Sequence, residues 1–324
     1  MKYSLSISFL LVTVINPGVS TAATPADFPG IDLISDVDIR DSAIAFLNMS
    51  TTPGLEGATL TVDNNVRHSE QVRGSLGFSA EYTIKDHIFN GYWGVAIVGG
   101  ELDSQISLVA DTGEPVKLDM TRTLVGLRGS FGLSFPVNQY FKFRPYLSLV
   151  VSDLKTETIV DGLPLTDLSG NTSTVNYIES SAQMASGIGT LEAIFSRWYG
   201  DNRLELSALY NLIYTDSYSE DNPVLNVDNV VNHTAQLKSM YSGPTTLMSA
   251  GRPWRWLAFA NYTKFISHRS VSLGYTGLLD FGGGMEWEVN VKPLDWFGWQ
   301  MLGIQAGIIY GDNVDGYIFG LTAR

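Results

Sequence analysis

The chain of 324 residues contains no cysteine. That one absence excludes disulfide staples, thiolate metal centres and cysteine nucleophiles together. Charge is sparse as well: 16% of residues are Asp, Glu, Lys or Arg, and the acids prevail to give a net charge of −13 and a pI near 4.6. Binding nucleic acid requires a basic face against the phosphates, so that partner is excluded. Four histidines are scattered along the chain without the His-Glu or His-His spacing of a metal site, and nothing in the pattern calls for a cofactor. Beyond the N-terminus no run of about 18 apolar residues exists, which excludes a helical membrane bundle. Yet 44% of the residues are hydrophobic and the mean hydropathy is +0.07. The apolar material is ample and must be dispersed in some other pattern.

The first residues read as an export signal. Lys2 supplies the positive start, Leu5 to Ile15 the apolar core, Asn16-Pro17-Gly18 the break, and Ser20-Thr21-Ala22 the small residues for cleavage near Ala22 or Ala23. The apolar core is too short to cross about 30 Å of hydrocarbon as a helical anchor. The expected organisation is a signal peptide over residues 1–23, a periplasmic or lumen N-terminal segment over 24–41, and a β-barrel domain over 42–324.

The dispersed apolar residues follow a period of two. Val72, Gly74, Leu76, Phe78, Ala80, Tyr82 and Ile84 alternate with Arg73, Ser75, Gly77, Ser79, Glu81 and Thr83. Successive strand side chains point to opposite faces, so the segment has one oily and one wet face. The same alternation sets Phe141, Phe143, Leu147, Leu149 and Val151 against Lys142, Arg144, Ser148 and Ser152. It sets Met285, Trp287 and Val289 against Glu286, Glu288 and Asn290, and Leu302, Ile304, Ala306 and Ile308 against Gly303, Gln305 and Gly307. Two-faced strands of about ten residues signal a transmembrane barrel with an apolar exterior and a polar interior. A soluble sandwich also alternates, but its strands usually run only about five or six residues.

Short turns and long links in strict alternation give a layout of about twelve antiparallel strands in a bacterial outer membrane. Tight turns fall at Asp86-His87, Pro136-Val137-Asn138, Gly200-Asp201-Asn202, near His268-Arg269, and at Pro293 to Phe297. Long links run through Asp103, Asp111 and Pro115, through Gly162, Pro164 and Gly170, and from Tyr218 to about Ala250. Gly282-Gly283-Gly284 and Gly311-Asp312-Asn313 read as hairpins between the last strands, and the first strand lies somewhere between Ser42 and Val66. The even count leaves both ends in the periplasm. Aromatic clusters at predicted rims, Trp198-Tyr199, Trp296-Phe297-Trp299, Tyr214 and Tyr218, suit the headgroup level of a membrane.

From Asp41 to Arg324 the chain resembles the autotransporter-type β-domains, most closely the solitary outer-membrane autotransporter-like barrels. The resemblance rests on length, the twelve-strand layout and the closing strand V-D-G-Y-I-F-G-L-T-A-R. It implies a translocator-like barrel in the Gram-negative outer membrane, in contact with lipid and lipopolysaccharide, delivered by periplasmic chaperones and inserted by the barrel-assembly machinery. Members usually end on an aromatic residue that this machinery reads. Here Tyr317, Phe319 and Leu321 share one face, and Thr322, Ala323 and Arg324 follow. About twenty mature residues precede Asp41, too few for a large passenger.

The chemistry on offer is thin. His268 and Ser270 stand two apart, which on a strand places them on one face, as an outer-membrane lipid-modifying hydrolase would need. Val271 follows instead of the asparagine of those families, and the layout puts His268 at a periplasmic turn, so the chain reads as a non-enzyme. Asp216, Asp221 and His233 are close in sequence but lack a protease pattern. No helix and no Lys-Ser/Thr pair follow Gly282 to Gly284, so they form no phosphate loop. Arg122, Arg128, Lys142, Arg144, Glu286, Glu288 and Lys292 carry the wet faces of their strands and are the expected pore lining, either pairing to fill the lumen or setting ion preference.

Overall fold

The computed structural model describes residues 36–53, 57–63, 67–85, 87–109, 115–166, 172–221, 227–266, 275–288 and 301–323. One helix comes first, α1 (Asp36–Thr51), then twelve strands: β1 (Ala58–Asp63), β2 (Arg67–Thr83), β3 (Asn90–Val109), β4 (Pro115–Pro136), β5 (Phe141–Thr166) and β6 (Thr172–Tyr199). β7 (Asn202–Glu220), β8 (Val230–Ser249), β9 (Arg252–Phe265), β10 (Gly277–Glu288), β11 (Met301–Gly311) and β12 (Val314–Ala323) complete the set. Every strand pairs antiparallel with its neighbours in sequence, and β1 pairs with β12, so the sheet closes into a barrel.

Closure follows from the alternation. Ser148, Val150, Ser152 and Leu154 of β5 are buried toward the lumen, while Leu147, Leu149 and Val151 are 54%, 62% and 54% exposed on the outer face. On β12 the outward Tyr317, Phe319 and Leu321 are 69%, 68% and 70% exposed. Such a sheet cannot bury its apolar face against a second layer, and an open edge beside it would leave backbone groups unpaired. Rolling the wet face inward solves both problems. Several inner-wall hydroxyls are satisfied sideways: Ser69 to Ser104 at 3.0 Å, Ser186 to Thr215 at 2.9 Å, and Thr190 to Asn211 to Thr234 at 2.8 and 3.0 Å.

One rim carries tight turns and the chain's last strand end. There Ala250 and Gly251 adopt φ of 50° and 73°, the left-handed pair that a two-residue hairpin demands. At another turn the Asn138 side chain accepts hydrogen bonds from the Tyr140 and Phe141 amides at 2.8 and 2.9 Å. The opposite, loop rim is built by extended strands. β3 to β6 run well past the apolar band, so Asp103, Gly162 and Pro164 lie within strands and not in the expected long links. The outward row changes there from Ile97, Leu127 and Val151 to Glu101, Thr123, Asp153 and Lys155, and the ladder continues after the apolar signal ends.

Two expectations fail in ways that cancel. Residues 230–249, assigned to the longest link, form β8; its alternation is blurred by Gly243-Pro244 and a register shift between Pro244 and Met248. Gly282-Gly283-Gly284, read as a hairpin, lies in the middle of β10, because a side chain at Gly282 would collide with the Ala306 carbonyl and approach the Phe259 ring. One strand was missed and one was split, so the total stays at twelve, but β9 runs toward the loop rim. The first strand, expected somewhere between Ser42 and Val66, is β1 at Ala58–Asp63, and α1 occupies residues 36–51 before it. The expected turn at Pro293 to Phe297 and the cluster Trp296-Phe297-Trp299 lie outside the described residues.

Candidate functional site

The lumen holds its own chain. Ala43, Ile44, Phe46, Leu47 and Met49 of α1 are all at most 3% exposed, and they touch the wall on both sides. Ala43, Ile44, Phe46 and Leu47 pack with Leu102, Leu124, Leu154, Ala182, Met184 and Val227. Ala45 and Met49 pack with Leu60, Leu257, Phe265, Tyr275, Leu278, Ile309 and Ile318 of the other half. Ala43 to Leu47 lie level with the loop-rim half of the wall, and the helix descends from there toward mid-barrel.

Its lower end is anchored by cations. The last carbonyls of a helix have no partner within it and carry the negative end of its dipole. Arg128 donates to the Thr51 carbonyl at 2.9 Å and Arg73 to the Met49 carbonyl at 3.5 Å. From the far wall Gln236 donates to the Pro53 carbonyl at 3.0 Å, Thr215 donates to the Asn48 side-chain oxygen at 3.3 Å, and the Tyr275 hydroxyl meets the Met49 sulfur.

Below the helix lies a cavity of about 1340 Å³ bordered by Arg128, Arg144, Glu192, Glu205, Lys238 and Glu286. Arg144 organises one side of it. Its guanidinium donates to Glu192 at 2.9 Å and to Glu81, and stacks 4.5 Å over the Tyr92 ring, while Lys142 reaches Glu81 at 2.6 Å. Arg144 and Glu192 are ladder partners on β5 and β6, whereas Glu81 projects from β2 across the curve of the wall. Arg203 pairs with Glu205 at 2.7 Å nearer the turn rim.

The expected pore-lining residues therefore divide. Lys142 and Arg144 join one ion network, and Arg128 serves the helix end. Arg122 is 1% exposed at the level of α1, and Glu286 is 0% exposed on β10. Glu288 is half-buried at the end of β10, and Lys292 lies outside the described residues. The partners Glu81 and Glu192 carried a legible signal: both are acids on the wet parity of their strands. The helix carried none of that kind. His268 and Ser270 also lie outside the described residues, but the strands flanking them, β9 and β10, meet the loop rim and not the turn rim. Among the described residues no group of three His, Cys, Asp or Glu could hold a metal ion. His68 lies 3.8 Å from Asp63 and 3.7 Å from Glu70, and His233 meets the Tyr210 hydroxyl at 2.6 Å.

No protein-family model and no curated protein sequence matches the chain. Solved structures do. The β domain of the Bordetella autotransporter BrkA superposes with a TM-score of 0.53 at 13% identity, over 82% of this chain and 94% of that one. The translocator domain of the autotransporter NalP from Neisseria meningitidis gives 0.46 at 12% identity, over 89% and 98%. The transport unit of the autotransporter AIDA-I from Escherichia coli gives 0.44 at 12% identity, also over 89% and 98%. The likeness to the BrkA β domain is one of fold: this chain folds as a closed barrel, here of twelve antiparallel strands, similar to that β domain.

Proposed function

We propose that the chain is a Gram-negative outer-membrane protein, a translocator-type barrel that stands in the membrane as a surface protein with its lumen plugged at rest. The observation that carries this reading is the outer face. From Val72 to Tyr82 the outward row of β2 covers about 33 Å along the strand, or about 25 Å along the membrane normal at a tilt of about 40°, the height of a bilayer's apolar core. Val95, Leu127, Leu149, Leu191, Leu212, Leu237, Tyr262, Leu279, Ile304 and Phe319 extend that band around the ring. A monomer in water does not carry a continuous apolar belt of this size.

The reading carries with it the export signal over residues 1–23, passage with periplasmic chaperones, insertion by the barrel-assembly machinery, and acyl chains and lipopolysaccharide as the surroundings. The turn rim faces the periplasm and the loop rim the exterior. The hydrophobic seating of α1 supports a closed lumen, and the charged cavity beneath it supports a narrow ion path once the helix is displaced. A hydrolase built on His268 and Ser270 gains no support, since the described lumen offers no nucleophile paired with a base.

Planar-bilayer conductance tests the reading. The wild-type protein is expected to be nearly silent. Phe46→Ala/Leu47→Ala removes two seated side chains at about 3–5 and 2–5 kcal/mol, enough to raise the open-to-closed ratio by about four orders of magnitude or more. A large steady conductance from the wild type would overturn the plug, and failure to insert in lipid would overturn the membrane reading.

A further inference from the structure

The outward row of β6 ends in a cation. From Ala185 through Gly187, Gly189, Leu191 and Ala193 to Phe195 the row is apolar or glycine, and Arg197 and Tyr199 follow it toward the turn rim. That apolar row spans about 33 Å along the strand, or about 25 Å along the membrane normal at a tilt of about 40°, as the row on β2 does. Arg197 comes one outward step later, about 5 Å below the apolar edge. Headgroups occupy about 5–7 Å on each side of the hydrocarbon, so the guanidinium stands at their level and not among acyl chains.

The side chain is held there. Its guanidinium lies 5.0 Å from the centre of the Tyr140 ring and 4.9 Å from that of Tyr199, between the tight turns that join β4 to β5 and β6 to β7. Both rings are exposed, and both stand on fixed backbone. The Tyr140 amide donates to the Asn138 side chain at 2.8 Å, its carbonyl accepts from the Ser196 amide at 2.8 Å, and its ring lies 6.4 Å from Phe195. Tyr199 is paired with Asn202 across the Gly200 turn, where φ is 61°. A guanidinium already confined between two rings loses little freedom when it takes up a partner.

The protein itself supplies no such partner. Among the described residues Arg197, which is exposed, donates to no acceptor and joins no ion pair. Its neighbours on the lumen side of the rim differ. Arg203 and Arg255 also lie over an aromatic ring, that of Trp198, at 6.0 and 4.9 Å. Yet Arg203 donates to Glu205 and Ser196, and Arg255 to the carbonyls of Asp201 and Ser242. Lys142 and Arg144 hold Glu81 in the same way. Arg197 is tied to rings alone, and its fork of N–H donors remains available.

The donors and their place define the ligand. A planar fork suits two anionic oxygens of one group, as in a phosphate. Immediately above it Phe195 and its ladder partner Phe141 form the lower edge of the apolar wall, which suits a group that carries acyl chains. We infer that Arg197, cradled by Tyr140 and Tyr199, is a binding site for the phosphate diester of a phospholipid in the periplasmic leaflet. The seated lipid fixes the depth of β5 and β6 in the bilayer. The inference rests on the membrane reading above.

Titration of the folded barrel in dodecyl maltoside micelles with dioleoyl phosphatidylglycerol, read by native mass spectrometry as the lipid-bound fraction, tests it. The wild type is expected to half-saturate at a concentration about tenfold below that of Arg197→Gln, the loss of one charge-assisted contact. Arg197→Lys keeps the charge without the fork and is expected to fall between the two. Tyr140→Leu/Tyr199→Leu keeps the cation without its cradle and is expected to bind nearly as weakly as Arg197→Gln. Lys85→Gln, at an exposed cation of the same rim, is expected to bind like the wild type. Equal binding by the wild type and Arg197→Gln overturns the site. Equal binding of dioleoyl glycerol, which has the chains and no phosphate, overturns it too, because the chains alone then hold the lipid. Displacement of the lipid by millimolar inorganic phosphate assigns the site to a free anion, and an equal loss in Lys85→Gln reduces it to general charge attraction; either result is fatal to it. Failure of the membrane reading shows separately, as failure of the wild-type barrel to insert in vesicles of the same lipid.

Discussion

Replacing Arg144 with methionine keeps most of the side-chain volume and removes the charge that holds two acids. Arg144, Glu192 and Glu81 are 13%, 13% and 24% exposed at their side chains, so they stand largely out of water but border the cavity. Breaking a fully buried pair by deleting one partner costs about 3–5 kcal/mol, chiefly because the other charge is stranded. Water in the cavity and the remaining Lys142 contact to Glu81 reduce that to about 2–3 kcal/mol here. At about 2–4 °C per kcal/mol, the temperature at which the folded, fast-migrating gel band is lost falls by about 5–10 °C. Arg144→Met/Glu192→Gln is expected to recover much of the loss, because the acid left without its partner is neutralised as well. The reasoning is refuted if Arg144→Met melts with the wild type, or if the double variant melts below the single one.

Position along the wall decides the cost of a charge on the outer face. Leu149→Arg, in the middle of the band, is expected to lose about 2–4 kcal/mol in a folding titration in lipid, and Glu157→Arg on the projecting part of β5 about 0–1. Gly282→Val is expected to block assembly of the folded band, since its side chain meets the Ala306 carbonyl, whereas Gly200→Asn at a φ of 61° is expected to fold normally. Arg128→Met removes the contact to the Thr51 carbonyl and is expected to raise flickering conductance about tenfold without shifting the melting of the barrel.

The outward rows were legible in the sequence because one face of each strand is apolar and the other polar, and that contrast is written at every second residue. Where both faces meet water the contrast vanishes, so the upper parts of β3 to β6 read as loops although their ladders continue. β8 was lost for a related reason, since Gly243-Pro244 interrupts the period that would have marked it. The glycines at 282–284 answer to crowding by a neighbouring strand, and that is a fact about tertiary contact which local turn chemistry cannot supply. Half of the site was legible too. Parity alone turns Lys142 and Arg144 inward, but the pairing of Arg144 with Glu81 depends on the curvature that brings β2 and β5 together across the lumen. Helix α1 was the least legible element: it is enclosed on all sides by a barrel, so it shows neither the stripe of an amphipathic surface helix nor the length of a spanning one.

Single-cysteine spin labels placed in turn at positions 147 to 157 of β5 test the central claim most directly. The account predicts that labels at 147, 149 and 151 collide with oxygen dissolved in the bilayer and are shielded from a water-soluble nickel chelate, that labels at 148, 150 and 152 are immobile, and that labels at 153, 155 and 157 meet the chelate freely. Equal access of the nickel chelate to 149 and 155 would contradict it, because the outer face would then meet water along its whole length.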